Sequence, residues 1–120
     1  MATDRQRLGQ WGEDTAAEYL HARGYTILTR NFRTSRGEID IVASLDDMLV
    51  FVEVKARSNN LYGYPEQAVS PRKQSRMLAA AGSYLQEHPE SFATWQFDIL
   101  AITRREGEMP EIEHFENVIG

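Results

Sequence analysis

Apolar and polar positions along the chain follow two periods. Between Asp4 and His21, Leu8, Trp11, Thr15, Ala16, Tyr19 and Leu20 recur at helical spacing, and Gly24 follows as a C-terminal cap. Gly9 and Gly12 weaken that helix by about 1 kcal/mol each against alanine, which suits a place where another backbone packs closely. "YTILTRNFR" (25–33) reads as a strand, and "GEIDIVASLDDMLVFVEVKAR" (37–57) as a hairpin turning at Asp46-Asp47. "SNNLYGYPEQ" (58–67) is a loop by its Asn, Gly and Pro content. Ser70 and Pro71 cap and open a second helix to about His88, with Met77, Leu78, Ala81, Tyr84 and Leu85 inward and Pro89 as its stop. "WQFDILAIT" (95–103) is apolar enough for a central strand, and "EIEHFENVI" (111–119) suits an edge strand. The order α-β-β-β-α-β-(β) specifies an α/β fold with a mixed central sheet flanked by helices.

The hairpin carries the unusual residues. With its turn at Asp46-Asp47, Ile39 faces Val54, Ile41 faces Val52 and Ala43 faces Val50, an apolar face throughout. On the other face Glu38 meets Lys55, Asp40 meets Glu53 and Val42 meets Phe51. A slip of one residue would set valines against acids, so the parity is fixed; a slip of two stays open. Like charges opposite each other destabilise a sheet, so a raised pKa, a lysine or a cation must offset the Asp40–Glu53 repulsion. Paired carboxylates suit Mg²⁺ or Mn²⁺ better than zinc. With the Lys55 ammonium beside them, they form equipment for phosphate-ester hydrolysis. The alternative is a salt-bridge cluster on a solvent-facing sheet.

Composition narrows the class. The 120 residues suit one domain, 1–120, with a real core, and there is no cysteine for a disulfide framework or thiolate metal site. His21, His88 and His114 show no metal-ligand spacing, and no apolar run is long enough to span a bilayer. The expectation is a soluble cytoplasmic protein without membrane partners. A net charge of −5 opposes unspecific polyanion binding. The charge is uneven, though: Arg30, Arg33 and Arg36 precede the hairpin, Arg72 and Lys73 open the second helix, and glutamates crowd the C-terminal end. Arg33, Arg36, Arg72 and Lys73 are therefore candidate nucleic-acid contacts, or else ordinary solvated charge.

Asp40, twelve intervening residues and Glu53-Val54-Lys55 resemble the D…ExK core of the PD-(D/E)XK nuclease superfamily. The wider pattern "GE…A…YL…GY.IL.RN.R…GEIDIVA…LVFVEVKAR", then "FDILAI", is similar to the bacterial YraN-like family, which resembles archaeal Holliday-junction resolvases. Ile39 stands where the superfamily's name has proline. The resemblance covers nearly the whole chain. It implies a single restriction-endonuclease-like domain with Asp40, Glu53 and Lys55 catalytic, and Asp40, Glu53 and a helical acid, Glu13, as Mg²⁺ or Mn²⁺ ligands. It also implies DNA, branched or junction DNA included, as substrate, with a two-fold homodimer expected for paired cuts. Glu38 would support Lys55, and Gln67 would line the phosphate side of the loop. Asp98 reads either as a satisfied core carboxylate or as a supporting residue. The alternative function is a nucleic-acid-binding protein that keeps the fold with little or no catalysis.

Overall fold

A computed structural model describes residues 1–58, 70–89 and 92–119. Thr3 opens the first helix, α1 (Asp4–Ala22), through a reciprocal capping box with Gln6. Arg23 closes it, and Gly24 follows at φ +91°, the left-handed conformation that favours glycine. Five strands follow: β1 (Thr26–Arg33), β2 (Glu38–Leu45), β3 (Met48–Arg57), β4 (Thr94–Thr103) and β5 (Glu111–Phe115). The second helix, α2 (Pro71–Glu87), crosses from β3 to β4, with the Ser70 hydroxyl accepting from the Lys73 N–H.

The sheet runs β1-β2-β3-β4-β5. β3 and β4 are parallel and the other pairs antiparallel, giving the mixed sheet that the element order specifies. α1 lays Ala16 and Leu20 on one face, against Ile41, Ala43, Val50, Val52, Leu100 and Ile102. α2 lays Met77, Ala80, Ala81 and Tyr84 on the other, against Val42, Leu49, Phe51, Phe97 and Ile99. Complete burial of a side chain such as Phe51 contributes about 1.5–3 kcal/mol. Leu78, expected inward, is 41 % exposed, because Met77, Ala80, Ala81 and Tyr84 already fill the stripe of α2 that meets the sheet.

The expected hairpin register holds from Ile41↔Val52 to Leu45↔Met48, and Asp46 turns the chain at φ 53°. The expected single apolar face does not extend to Ile39. Ile39 packs into the α2-side cluster, whereas Ile41 packs on the α1 side. In a regular strand residues two apart share a face, so β2 turns over at Asp40. β1 turns over beside it, at Asn31, whose φ is 54°. Arg30 reaches Glu13 and Asp14 of α1, while Phe32 packs edge-on against Tyr84 of α2.

No helix among the described residues is long and apolar enough to cross a membrane.

Candidate active site

The break in β2 is where the candidate site opens. Pairing with β3 stops at Ile41↔Val52, while pairing with β1 runs on to Arg33↔Glu38. The start of β2 thus stays with β1, and the end of β3 continues beside β4 from Glu53↔Ile99 to Arg57↔Thr103. Asp40 and Glu53, expected as directly opposed ladder residues, flank this fork instead. The Val54 N–H donates to Oδ2 of Asp40 at 2.8 Å, so a side chain replaces a backbone acceptor at the fork.

Glu53 and Lys55 lie two apart on β3 and share the α2 face with Phe51. Glu53 is 7 % exposed, and its Oε1 lies 2.6 Å from Nζ of Lys73 and 3.7 Å from Nζ of Lys55. Burial and the negative charge of Glu53 push the Asp40 pKa up to about 7; the Val54 N–H and the Lys73 ammonium oppose that rise, and Glu13 adds to it. Burial and neighbouring Lys73 hold the Lys55 pKa below the usual lysine range, against the pull of Glu53 and Asp40. For Lys73 burial acts against the charge, but the hydrogen bonds to Glu53 and Lys55 and the negative charges of Glu53 and Asp40 together outweigh it and leave the pKa raised. Two acids and two lysines thus share one partly dry place.

Two glycines set the helices around it. A Cβ on Gly12 would collide with the Cβ of Ala56, so α1 seats directly on the end of β3 and brings the next residue, Glu13, to the sheet. A Cβ on Gly37 would collide with the Arg76 carbonyl, so α2 seats against the start of β2. That contact fixes the height of Lys73, one turn earlier on α2.

The other candidate residues divide. Glu13 is buried and acts on Asp40 through its charge, but its Oε1 already accepts from Nε of Arg30 at 2.8 Å and Nδ2 of Asn31 at 3.0 Å. Lys73, expected to contact phosphate, is an ion-pair partner of Glu53. Glu38 lies 3.4 Å from Nε of Arg33, not against Lys55 as the hairpin reading had it, because β2 has left β3 by that point. It still lines a cleft of about 210 Å³ with Glu53, Ser70, Arg72, Lys73 and Arg76. Arg33, Arg36 and Arg72 are exposed, the first two at the β1–β2 turn. Gln67 lies outside the described residues.

One cluster escaped the sequence reading. Asp98, fully buried, accepts from Nε2–H of His114 (2.7 Å), Nδ1 of which lies 3.2 Å from the Tyr19 hydroxyl. Gln96 and the Asn117 N–H donate to its other oxygen. Among the described residues, Asp98, His114 and Glu116 are the set of three ligand groups lying mutually within 4.8 Å; Glu13, Asp40 and Glu53 are not such a set. The hydrogen bonds to Asp98 are those of a satisfied core carboxylate that ties β5 and α1 to β4. Leu100↔His114 pairing brings the two together, a proximity that histidine spacing could not signal.

Residues 12–102 match the model of the Uncharacterised protein family UPF0102. Similar proteins include the UPF0102 protein of Syntrophotalea carbinolica, 49 % identical over 96 % of this chain and 93 % of that protein. Those of Syntrophomonas wolfei and Pelotomaculum thermopropionicum are 46 % and 43 % identical, over 93 % and 98 % of this chain and 96 % and 98 % of theirs.

Proposed function

The chain belongs to the Uncharacterised protein family UPF0102, and we propose that it is a divalent-metal-dependent nuclease of the PD-(D/E)XK type that hydrolyses phosphodiesters in DNA. The observation that carries this reading is the acid pair of half-buried Asp40 and buried Glu53, with Lys55 beside it, at the fork between β2 and β3. Burial and a second acid, Glu53, raise the Asp40 pKa to about 7, a perturbation of the kind that functional carboxylates often show.

The donor chemistry fits a hard cation. Asp40 and Glu53 offer carboxylate oxygens, and a dication would offset both the burial and the repulsion that raise the Asp40 pKa. Those two would hold Mg²⁺ or Mn²⁺, and Glu13 adds negative potential from behind. A bound ion would supply Lewis-acid polarisation of the phosphate and a lowered pKa for its water. Lys55 stabilises the charge that develops on the phosphate oxygens, and Val54 locks the orientation of the Asp40 carboxylate. Arg33, Arg36 and Arg72 would steer the phosphate backbone without reading sequence. Branched or junction DNA is the first substrate class to test, and paired cuts would call for a two-fold dimer.

One observation favours a second reading, a nucleic-acid-binding protein with little or no catalysis: the Lys73 ammonium already neutralises Glu53 at 2.6 Å. Cleavage of linear, flapped and four-way-junction DNA with Mg²⁺ or Mn²⁺, against an Asp40→Asn control, decides between them. Cleavage that the control abolishes supports the nuclease. Binding without cleavage supports the second reading.

A further inference from the structure

The α1 face of the sheet, opposite Glu53 and Lys55, carries a second pair of acids, and an imidazole stands beside them. β5 pairs Leu100 with His114 and Ile99 with Phe115, so one step further in that register brings Glu116 to Asp98. His114 and Glu116, two apart, share a face. The chain then turns back at Asn117, whose φ is 53°. The Asn117 N–H donates to Oδ1 of Asp98 at 3.0 Å and the Val118 N–H to the Phe97 carbonyl at 2.8 Å, which ties the segment after β5 down over β4. One ligand atom from each of Asp98, His114 and Glu116 thereby lies within 4.8 Å of the other two.

We propose that Asp98, His114 and Glu116 bind a zinc ion that clamps the chain after β5 onto β4. The site is independent of the nuclease reading. Two carboxylates brought together in a sheet repel each other, and among the described residues no hydrogen bond or ion pair holds the Glu116 carboxylate. A cation between them offsets that repulsion. The imidazole decides which cation: oxygen ligands alone suit Mg²⁺, whereas a nitrogen donor favours zinc. Asp98 is already aimed, because Gln96 and the Asn117 N–H hold its Oδ1 and leave Oδ2 facing Nε2 of His114 at 2.7 Å. The ion takes the place of that hydrogen bond. The imidazole proton moves from Nε2 to Nδ1 and is donated to the Tyr19 hydroxyl, 3.2 Å away, the kind of outer bond that orients a metal-binding histidine. Tetrahedral zinc, with bonds of about 2.0–2.1 Å, needs the two ligand atoms about 3.3 Å apart. His114, near the end of β5, thus moves out by roughly half an ångström. Asp98 is fully buried, the His114 side chain is 12 % exposed and Glu116 is exposed, so the ion enters past Glu116 and water fills the fourth position.

Calorimetric titration with zinc chloride tests this, using the full chain freed of metal by EDTA and desalted. An Asp40→Asn background keeps the acid pair at the fork out of the measurement. That parent should bind one Zn²⁺ per chain with a Kd below about 100 μM and melt higher with the ion than without it. Glu116→Gln, a change on an exposed side chain, should melt as the parent does without metal and bind zinc at least tenfold more weakly. His114→Gln should lose the zinc-induced rise in melting temperature altogether. Magnesium in tenfold excess over zinc should leave the parent's zinc affinity unchanged. A parent with no site tighter than about 100 μM overturns the proposal and leaves a hydrogen-bonded Asp98–His114 pair. Undiminished zinc affinity in Glu116→Gln overturns it as well, whether or not His114→Gln folds. Displacement of zinc by magnesium would mean that the imidazole is not a ligand, and overturns it too.

Discussion

Nζ of Lys73 lies 2.6 Å from Oε1 of Glu53, more than an ångström closer than Nζ of Lys55 at 3.7 Å. The lysine of the crossover helix, not the one on the strand, makes the short ion pair with the buried acid. This division of labour leaves Lys55 available to a substrate and makes Lys73 the residue that holds the acid pair together.

Lys73→Met should therefore destabilise the metal-free protein at neutral pH by about 1.5–3 kcal/mol, the range for a charged hydrogen bond. Mg²⁺ should then raise the melting temperature more in the variant than in wild type, since the ion would meet a carboxylate that has lost its short ion pair and keeps only the longer one to Lys55. Equal Mg²⁺ shifts in the two proteins would show that Lys73 and the ion do not share Glu53.

Asp40 sets the pH dependence. Its folded pKa of about 7 exceeds the ordinary aspartate value of 3.8, so between those values the native state binds more protons than the unfolded chain. Stability from this group is full below about pH 4, falls as pH rises to about 7, and is level above that. Melting in EDTA should show this decline, and Asp40→Asn, which cannot ionise, should flatten it. An identical decline in the variant would assign it to other groups.

Two substitutions at Asp40 should differ. Asn keeps an oxygen to accept from the Val54 N–H; Ala leaves that N–H without its acceptor at a cost of about 1–3 kcal/mol. Both should abolish cleavage. Asp40→Ala melting as high as Asp40→Asn would mean water replaces the lost oxygen.

Lys55→Ala tests chemistry separately from folding. Loss of one charge-stabilising contact costs roughly 10²–10³ in rate. Cleavage should fall by that much while Mg²⁺ still raises the melting temperature. A rate within threefold of wild type would exclude Lys55 from the reaction.

The two α1 glycines make an internal control. Gly9→Ala should stabilise by about 1 kcal/mol through helix propensity alone, since its Cβ meets nothing. Gly12→Ala should destabilise, because its Cβ collides with Ala56. Chemical denaturation of both reads the opposite signs directly.

Where periodicity governs, the chain is legible: α1, α2, the turn at Asp46 and the register from Ile41↔Val52 all follow from local spacing. The misreadings gather at one place. Ile39 changes face because Asn31 adopts φ 54° and Asp40 spends an oxygen on Val54. A bond between a side chain and a distant backbone N–H leaves no mark on the alternation of apolar residues. Lys73 was legible as a cation near the start of a helix, but its partner depends on how deeply α2 seats on the sheet. That depth is set by the contact between Gly37 and the Arg76 carbonyl. The Asp98–His114 bond depends likewise on β4 meeting β5.

The parallel pairing of β3 with β4 has a consequence for the order in which the site assembles. Asp40 and Glu53 sit on one hairpin, whose closure needs only a tight turn and takes on the order of 1–10 μs. Lys73 arrives with the crossover, which must close a far longer loop before β4 can pair, a slow step in folding. The acids meet before their short-range counter-ion does. Refolding should then pass through a moment when the nascent hairpin carries its repulsion alone, with Val52→Ala slowing folding and Met77→Ala mainly speeding unfolding. A chain with Glu53 neutralised by Lys73 is one in which α2 has already docked on the sheet.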